Sequence, residues 1–117
     1  MKIARRVFPL LIVLAMALTA SYAAGKADIA NGKRLFNDPG LGGGTSGNSC
    51  NTCHPDGKGL ENAGKKNRHE WTNPGGKWLN LEDTNNVCIL MAMKGKPIDP
   101  KGREMKDLVA YIKSLAK

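Results

Sequence analysis

Aromatic residues are scarce in this chain of 117 residues: Phe, Tyr and Trp together make up 5% of it. One compact domain is the prior for this length. A core with so few rings has room for apolar surface from another source, such as a bound macrocycle. Cysteine is also thin. Three cysteines do not make a disulfide scaffold, because any pairing leaves one over. No alternating apolar and polar run marks a strand. The glycine-rich stretch 40–48 lacks the Gly-Lys-Ser/Thr ending and the preceding strand of a phosphate-binding loop. The basic residues are scattered, with no zinc-finger spacing, recognition helix or aromatic platform for single strands. Nucleotide chemistry and nucleic-acid partners are therefore not expected.

Residues 1–23 form a separate unit. Lys2, Arg5 and Arg6 give a positive start, and Val7 to Ala20 is almost wholly apolar. That run is short of the roughly 20 residues needed to cross a bilayer. Small residues at Ser21 and Ala23 suit cleavage after Ala23, so the segment is expected to be a secretory signal peptide. The mature chain, 24–117, is then a single domain outside the cytoplasm, in the periplasm or an equivalent compartment. Its membrane contact is limited to the transient leader. Cleavage removes three basic side chains and lowers the formal charge from +8 to +5. The remaining positive charge suits an acidic protein partner.

The mature chain reads as all-α, with about three main helices and long loops. A first helix is expected over 28–37, capped by Asp28, with Ile29, Leu35 and Phe36 on one apolar face. Asp38-Pro39-Gly40 stops it. Residues 40–48 and 55–79 read as irregular, the latter carrying Trp71 and Trp78. Each indole N–H needs a polar partner if buried. A second helix is expected over 81–94, capped by Asn80, with Val87, Cys88, Leu90, Met91 and Ala92 as its apolar content. Gly95 and Pro97 end it. A final helix is expected over 101–115, with Met105, Leu108, Val109, Ile112 and Leu115 as its buried stripe.

Residues 50–54 read Cys-Asn-Thr-Cys-His, the pattern for covalent attachment of c-type haem. Two thiols add to the haem vinyl groups, and the adjacent imidazole of His54 reaches the iron. Three other chemistries share the Cys pair. A thioredoxin-like dithiol wants a strand–helix setting that this sequence lacks. A zinc site needs two more ligands, for which Cys88 and His69 are the candidates. A structural disulfide leaves Cys88 odd.

With Gly32 and Phe36 before that motif and Tyr111 near the C-terminus, the chain resembles a class I cytochrome c. The resemblance implies an N-terminal helix crossing the C-terminal helix around one haem c and its iron. The usual methionine ligand is missing from 95–100, which leaves Cys88, Met91, Met93 and Met105 as candidates opposite His54. On a helix continuing to residue 94, Cys88 and Met91 share a face and Met93 points away. Met105 fits the core. The residues Asn86-Val87-Cys88, Met93-Lys94-Gly95-Lys96, Glu104-Met105 and Ala110-Tyr111 also resemble the haem domains of thiosulfate dehydrogenases and SoxA sulfur-oxidation cytochromes. That resemblance implies that Cys88 is an axial ligand. It does not imply the sulfur reaction, since a second haem motif and the larger catalytic framework of those enzymes are absent.

The expected function is one-electron transfer, without catalysis of its own, to a redox protein partner. A second small c-type cytochrome in a dimer is one such partner. Two rival functions use the same domain. One is a haem-based sensor binding nitric oxide or carbon monoxide after the sixth ligand is lost. The other is a cytochrome subunit of a larger sulfur-oxidising enzyme.

Overall fold

The computed structural model describes residues 25–117, so the leader expected over 1–23 lies outside the described residues. Those residues form four α-helices: α1 Ile29–Phe36, α2 Cys50–Cys53, α3 Leu81–Met91 and α4 Arg103–Ser114. Single 3-10 turns occupy Leu41–Gly43 and Pro55–Gly57. A short antiparallel hairpin joins β1 Trp71–Asn73 to β2 Gly76–Trp78, with Trp71 paired to Trp78 and Asn73 to Gly76. The fold is mostly helical, as expected. The one-turn helix α2 and the hairpin were not visible in the apolar pattern. No helix among the described residues is long and apolar enough to cross a membrane.

The central packing is α1 across α4. Asp28 starts α1 by accepting the Asn31 N–H at 3.0 Å, a local bond that satisfies one of the unpaired donors of the first turn. One turn on, Gly32 lies against the α4 backbone. A Cβ there would overlap the Asp107 carbonyl oxygen and stand 2.8 Å from Tyr111 Cβ. Only a bare glycine lets the two backbones come this close. Phe36 and Tyr111 then meet edge to face, ring centroids 5.2 Å apart and planes 65° apart, the favoured geometry for an aromatic pair. Leu35, Leu108 and Ile112 are buried alongside. Ile29, expected on the same face, is instead 51% exposed. It sits in the first turn, before the helices converge at Gly32.

Asp107 is the buried charged residue of this core, 1% exposed. Its carboxylate accepts the Asp28 N–H at 2.7 Å, the Asn31 side-chain amide at 2.9 Å and Arg103 Nε at 3.0 Å. Burial alone pushes its pKa up. The hydrogen bonds from Asp28, Asn31 and Arg103, with the guanidinium charge, outweigh that and hold it below the usual carboxylate range. A residue of the last helix thus closes the N-terminus of the first.

Two helix boundaries differ from expectation. The chain leaves helix at Met91, not at residue 94, and Lys94 then takes a left-handed turn (φ 56°). Ile89 and Leu81 are the buried positions of α3, whereas Leu90 and Met91 are 51% and 47% exposed. The last helix starts at Arg103, because Asp99 first makes a turn, accepting the Lys101 N–H on its side chain and the Gly102 N–H on its carbonyl. Met105, Leu108, Val109 and Ile112 form its buried stripe as read from the sequence, with Leu115 half-buried just past its end.

Two outcomes test this account. Phe36→Ala is expected to cost about 3–5 kcal/mol in denaturant unfolding of the holoprotein; an unchanged midpoint would remove the ring from the core. Asp107→Asn is expected to destabilise the protein at neutral pH. A depressed carboxylate pKa contributes stability above the unfolded-state value of about 3.9 and loses it as pH falls through the lower folded value. The gap between Asp107→Asn and wild type therefore narrows from pH 7 to pH 3. Equal gaps in urea midpoint at the two pH values would contradict the charged-carboxylate account.

Candidate functional site

The Cys-Asn-Thr-Cys-His segment folds locally. The Thr52 hydroxyl accepts the Ser49 N–H at 2.9 Å and starts the single turn of α2. The His54 N–H returns to the Cys50 carbonyl at 3.0 Å and closes it. One turn of helix carries Cys50 and Cys53 near one edge, three residues apart. The chain then doubles back. Asn51 accepts the Asp56 N–H at 2.8 Å, and the Gly57 and Lys58 N–H groups return to His54 and Pro55. That reversal brings the Lys58 carbonyl within 3.1 Å of His54 Nδ1. A carbonyl can only accept, so Nδ1 is the donor in this bond, and in the neutral ring Nε2 presents a free lone pair.

Cys50, Cys53 and His54 line one cavity of about 420 Å3, a size typical of cofactor sites. Its walls are mostly apolar. Phe36 and Ile112 come from the helix crossing, Leu60 and Ala63 from the following loop, Trp71 from the hairpin and Leu81 from α3. Cys88 and Met93 line the same space. Trp71 is tied in place by its indole N–H, which donates to the Ala63 carbonyl at 3.0 Å.

The position of Met93 corrects the expectation that it faces away from Cys88. That expectation assumed an unbroken helix. Because α3 ends at Met91, Met93 turns inward and is 1% exposed. The glycine-rich loop 40–48 holds it there. The N–H groups of Thr45 and Ser46 both donate to the Met93 carbonyl, at 2.9 and 3.1 Å, while Ser46 Oγ and Asn48 Nδ2 donate to the Ala92 carbonyl. The loop therefore satisfies the open carbonyls past the end of α3. Met91 lies outside the cavity against Gly75, Met105 is a core residue, and His69 is exposed and away from the lining.

Burial pushes the Cys50 thiol up to about 12, aided by neighbouring Cys88 and Cys53 and opposed by a backbone hydrogen bond. Burial likewise raises Cys88, against a hydrogen bond from Asn73. A thioredoxin-like dithiol needs a lowered thiol pKa at the first cysteine of its pair, and Cys50 is raised. A zinc cage fares no better. Among the described residues no group of three or more His, Cys, Asp and Glu side chains converges to hold a metal ion. A haem is compatible with the same residues. It needs two spaced thiols, an adjacent imidazole with a free Nε2, and a dry cleft for the macrocycle, and all of these stand around one cavity.

A helix crossing of this kind beside a Cys-x-x-Cys-His cleft defines a class I c-type cytochrome domain. The family model for the SoxA/TsdA cytochrome c domain matches residues 31–117, and the chain belongs to that family. Its role is that of a c-type electron carrier. No curated protein and no solved structure matches the chain.

The inward turn of Met93 separates the two neighbouring methionines experimentally. Met93→Ala is expected to cost about 2–5 kcal/mol in unfolding of the holoprotein. Met91→Ala, at an exposed position, is expected to stay within about 0.5 kcal/mol of wild type. Equal costs would place the end of α3 where the sequence pattern put it.

Proposed function

We propose that the protein is an exported one-electron carrier whose single haem is attached through Cys50 and Cys53 and held between His54 and Cys88. The supporting observation is that three thiols and one imidazole line one largely apolar cavity. Bound haem supplies a one-electron Fe(III)/Fe(II) couple, and thiolate ligation favours the oxidised form and lowers the potential relative to histidine–methionine ligation.

The chain contributes attachment, orientation and exclusion of water. The bond from His54 Nδ1 to the Lys58 carbonyl fixes the imidazole tautomer and makes Nε2 the donor atom. Phe36, Leu81 and Ile112 keep the cleft dry, which raises the strength of every electrostatic interaction in it. Cys88 is preferred to Met93 because it lines the cavity and the segment Asn86-Val87-Cys88 resembles the ligand-cysteine motif of the SoxA and thiosulfate dehydrogenase haem domains. Met93, buried in the same cavity, is the alternative ligand. Lys65 and Lys66 are exposed between Ala63 and Arg68, two lining residues. Such a rim suits an acidic redox protein, of which a second small c-type cytochrome is one form. Function outside the cytoplasm, in the periplasm, follows from the leader read over residues 1–23.

A second reading is binding of nitric oxide or carbon monoxide once Cys88 is lost on reduction. The partial exposure of that thiol favours it. Fast redox cycling with no gas adduct would rule it out.

Paired optical and electron-spin resonance spectra of oxidised wild type and Cys88→Ser test the ligand. A low-spin thiolate signal is expected in wild type and not in the variant. The midpoint potential is expected to rise by at least a tenfold change in the redox equilibrium, about 59 mV for one electron. Unchanged spectra would remove Cys88 from the iron. Separately, haem should stay with wild type after denaturation and should be lost from the Cys50→Ser, Cys53→Ser double variant.

A further inference from the structure

The hairpin reaches the cavity through one side chain. Asn73, at the end of β1, is half-buried and lines the cavity. Its amide nitrogen donates to Cys88 Sγ at 3.6 Å and to the Thr84 carbonyl at 3.0 Å. Its oxygen accepts the Gly75 N–H at 2.9 Å and the Trp78 indole N–H at 3.0 Å. Both ends of the amide are therefore engaged. The two donors on the oxygen leave only one orientation, since a flipped amide would set NH2 against two N–H groups. The nitrogen must then point at α3. Of its two protons one goes to the Thr84 carbonyl, one turn before Cys88, and the other to the sulfur.

We infer that Asn73 is a positioning residue for the Cys88 sulfur, oriented by Trp78 and Gly75, and that its hydrogen bond raises the reduction potential of the centre. This rests on the reading of Cys88 as a ligand. Hydrogen bonds to a ligating sulfur draw electron density from it and weaken its donation, which favours the reduced form. The same bond limits rotation of the Cys88 side chain away from the cavity. The two-residue link Pro74-Gly75 folds β2 back along β1, with Trp78 opposite Trp71 and its indole reaching the Asn73 oxygen, so the hairpin acts as a clamp on one amide. Gly75 belongs to that clamp. A Cβ there would stand 2.5 Å from Val87 and 3.2 Å from the Asn73 oxygen.

The experiment compares the holoprotein with Asn73→Leu, Trp78→Phe, Cys88→Ser and the Asn73→Leu, Cys88→Ser double variant, by electron-spin resonance and redox titration. Asn73→Leu keeps the size and removes the donor without adding charge. It is expected to shift the redox equilibrium about three- to tenfold toward the oxidised form and to change the g-value spread of the thiolate signal. Trp78→Phe leaves Asn73 in place but frees its oxygen, and is expected to shift the equilibrium the same way by less. It also carries the test if Asn73→Leu does not fold. In the Cys88→Ser background the Asn73 effect should vanish. An equal shift in that background would assign the effect to loosening of the hairpin and overturn the inference. So would an unmoved potential in both Asn73→Leu and Trp78→Phe. Failure of the ligand reading is distinguishable, because Cys88→Ser alone would then leave the spectrum unchanged.

Discussion

The approach of α1 to α4 at Gly32 is the constraint on which the rest of the molecule depends. With no Cβ at that position the α1 backbone rests on the Asp107 carbonyl and Tyr111. Everything on either side is set by that contact. Toward the start of α1, Asp107 accepts from Asp28 and Asn31 and closes the helix end. Toward its end, Phe36 meets Tyr111 and presents to the cavity, with Ile112 next along α4. The wall of the cavity is thus the inner side of the helix crossing. A few ångströms of extra separation would unpair a buried carboxylate and open the apolar wall together. Loss of partners around a buried charge is among the costlier defects in a small domain.

The carboxylate at this crossing differs from a surface ion pair. Arg103 and Asp107 are four apart on α4, a spacing that on an exposed helix is worth a few tenths of a kcal/mol. Here Asp107 is 1% exposed and takes two further donors from α1. The arginine supplies charge while the α1 groups supply register. Rotation of α1 about its axis would break the Asn31 and Asp28 bonds together, so the buried charge contributes orientation as well as cohesion.

Much of this was legible in the sequence because it is local or periodic. The attachment motif spans five residues, and Gly32, Phe36 and Tyr111 mark the crossing by residue type. The stripe Met105, Leu108, Val109 and Ile112 follows helical spacing. The hidden parts depend on tertiary contacts. Two three-residue strands around Pro74-Gly75 carry no usable alternation, so the sequence of the hairpin reads as irregular. Ile29 matched the apolar face but precedes the point of contact. Gly95 and Pro97 are the stop signals in the sequence and point to a later end for α3 than the structure has. The chain leaves helix earlier, at Met91, where the loop 40–48 captures the Ala92 and Met93 carbonyls. No sequence pattern links residue 46 to residue 92, nor Asn73 to Cys88.

The two sides of the cavity are built differently, and this has a consequence for how it responds to change. On the α2 side, Cys50, Cys53 and His54 are fixed by one helical turn and the reversal at Pro55–Gly57, all within a short stretch of chain. Covalent haem attachment there, as proposed, would make the arrangement insensitive to small motions elsewhere. On the α3 side, one face of the helix, with Leu81, Thr84, Asn85 and Cys88, lines the cavity, and two residues of that side are held in addition by groups from elsewhere in the chain. Met93 is placed through its backbone by the glycine-rich loop, and Cys88 through its side chain by the hairpin. These two supports come from different parts of the chain and act on residues only five apart. Each can strengthen or weaken without disturbing the other or the attachment motif. On the proposed assignment the fold would hold the haem at the α2 side while leaving the ligand opposite His54 open to adjustment by loop and hairpin residues, which is where differences in potential or ligand exchange would arise at little cost to stability.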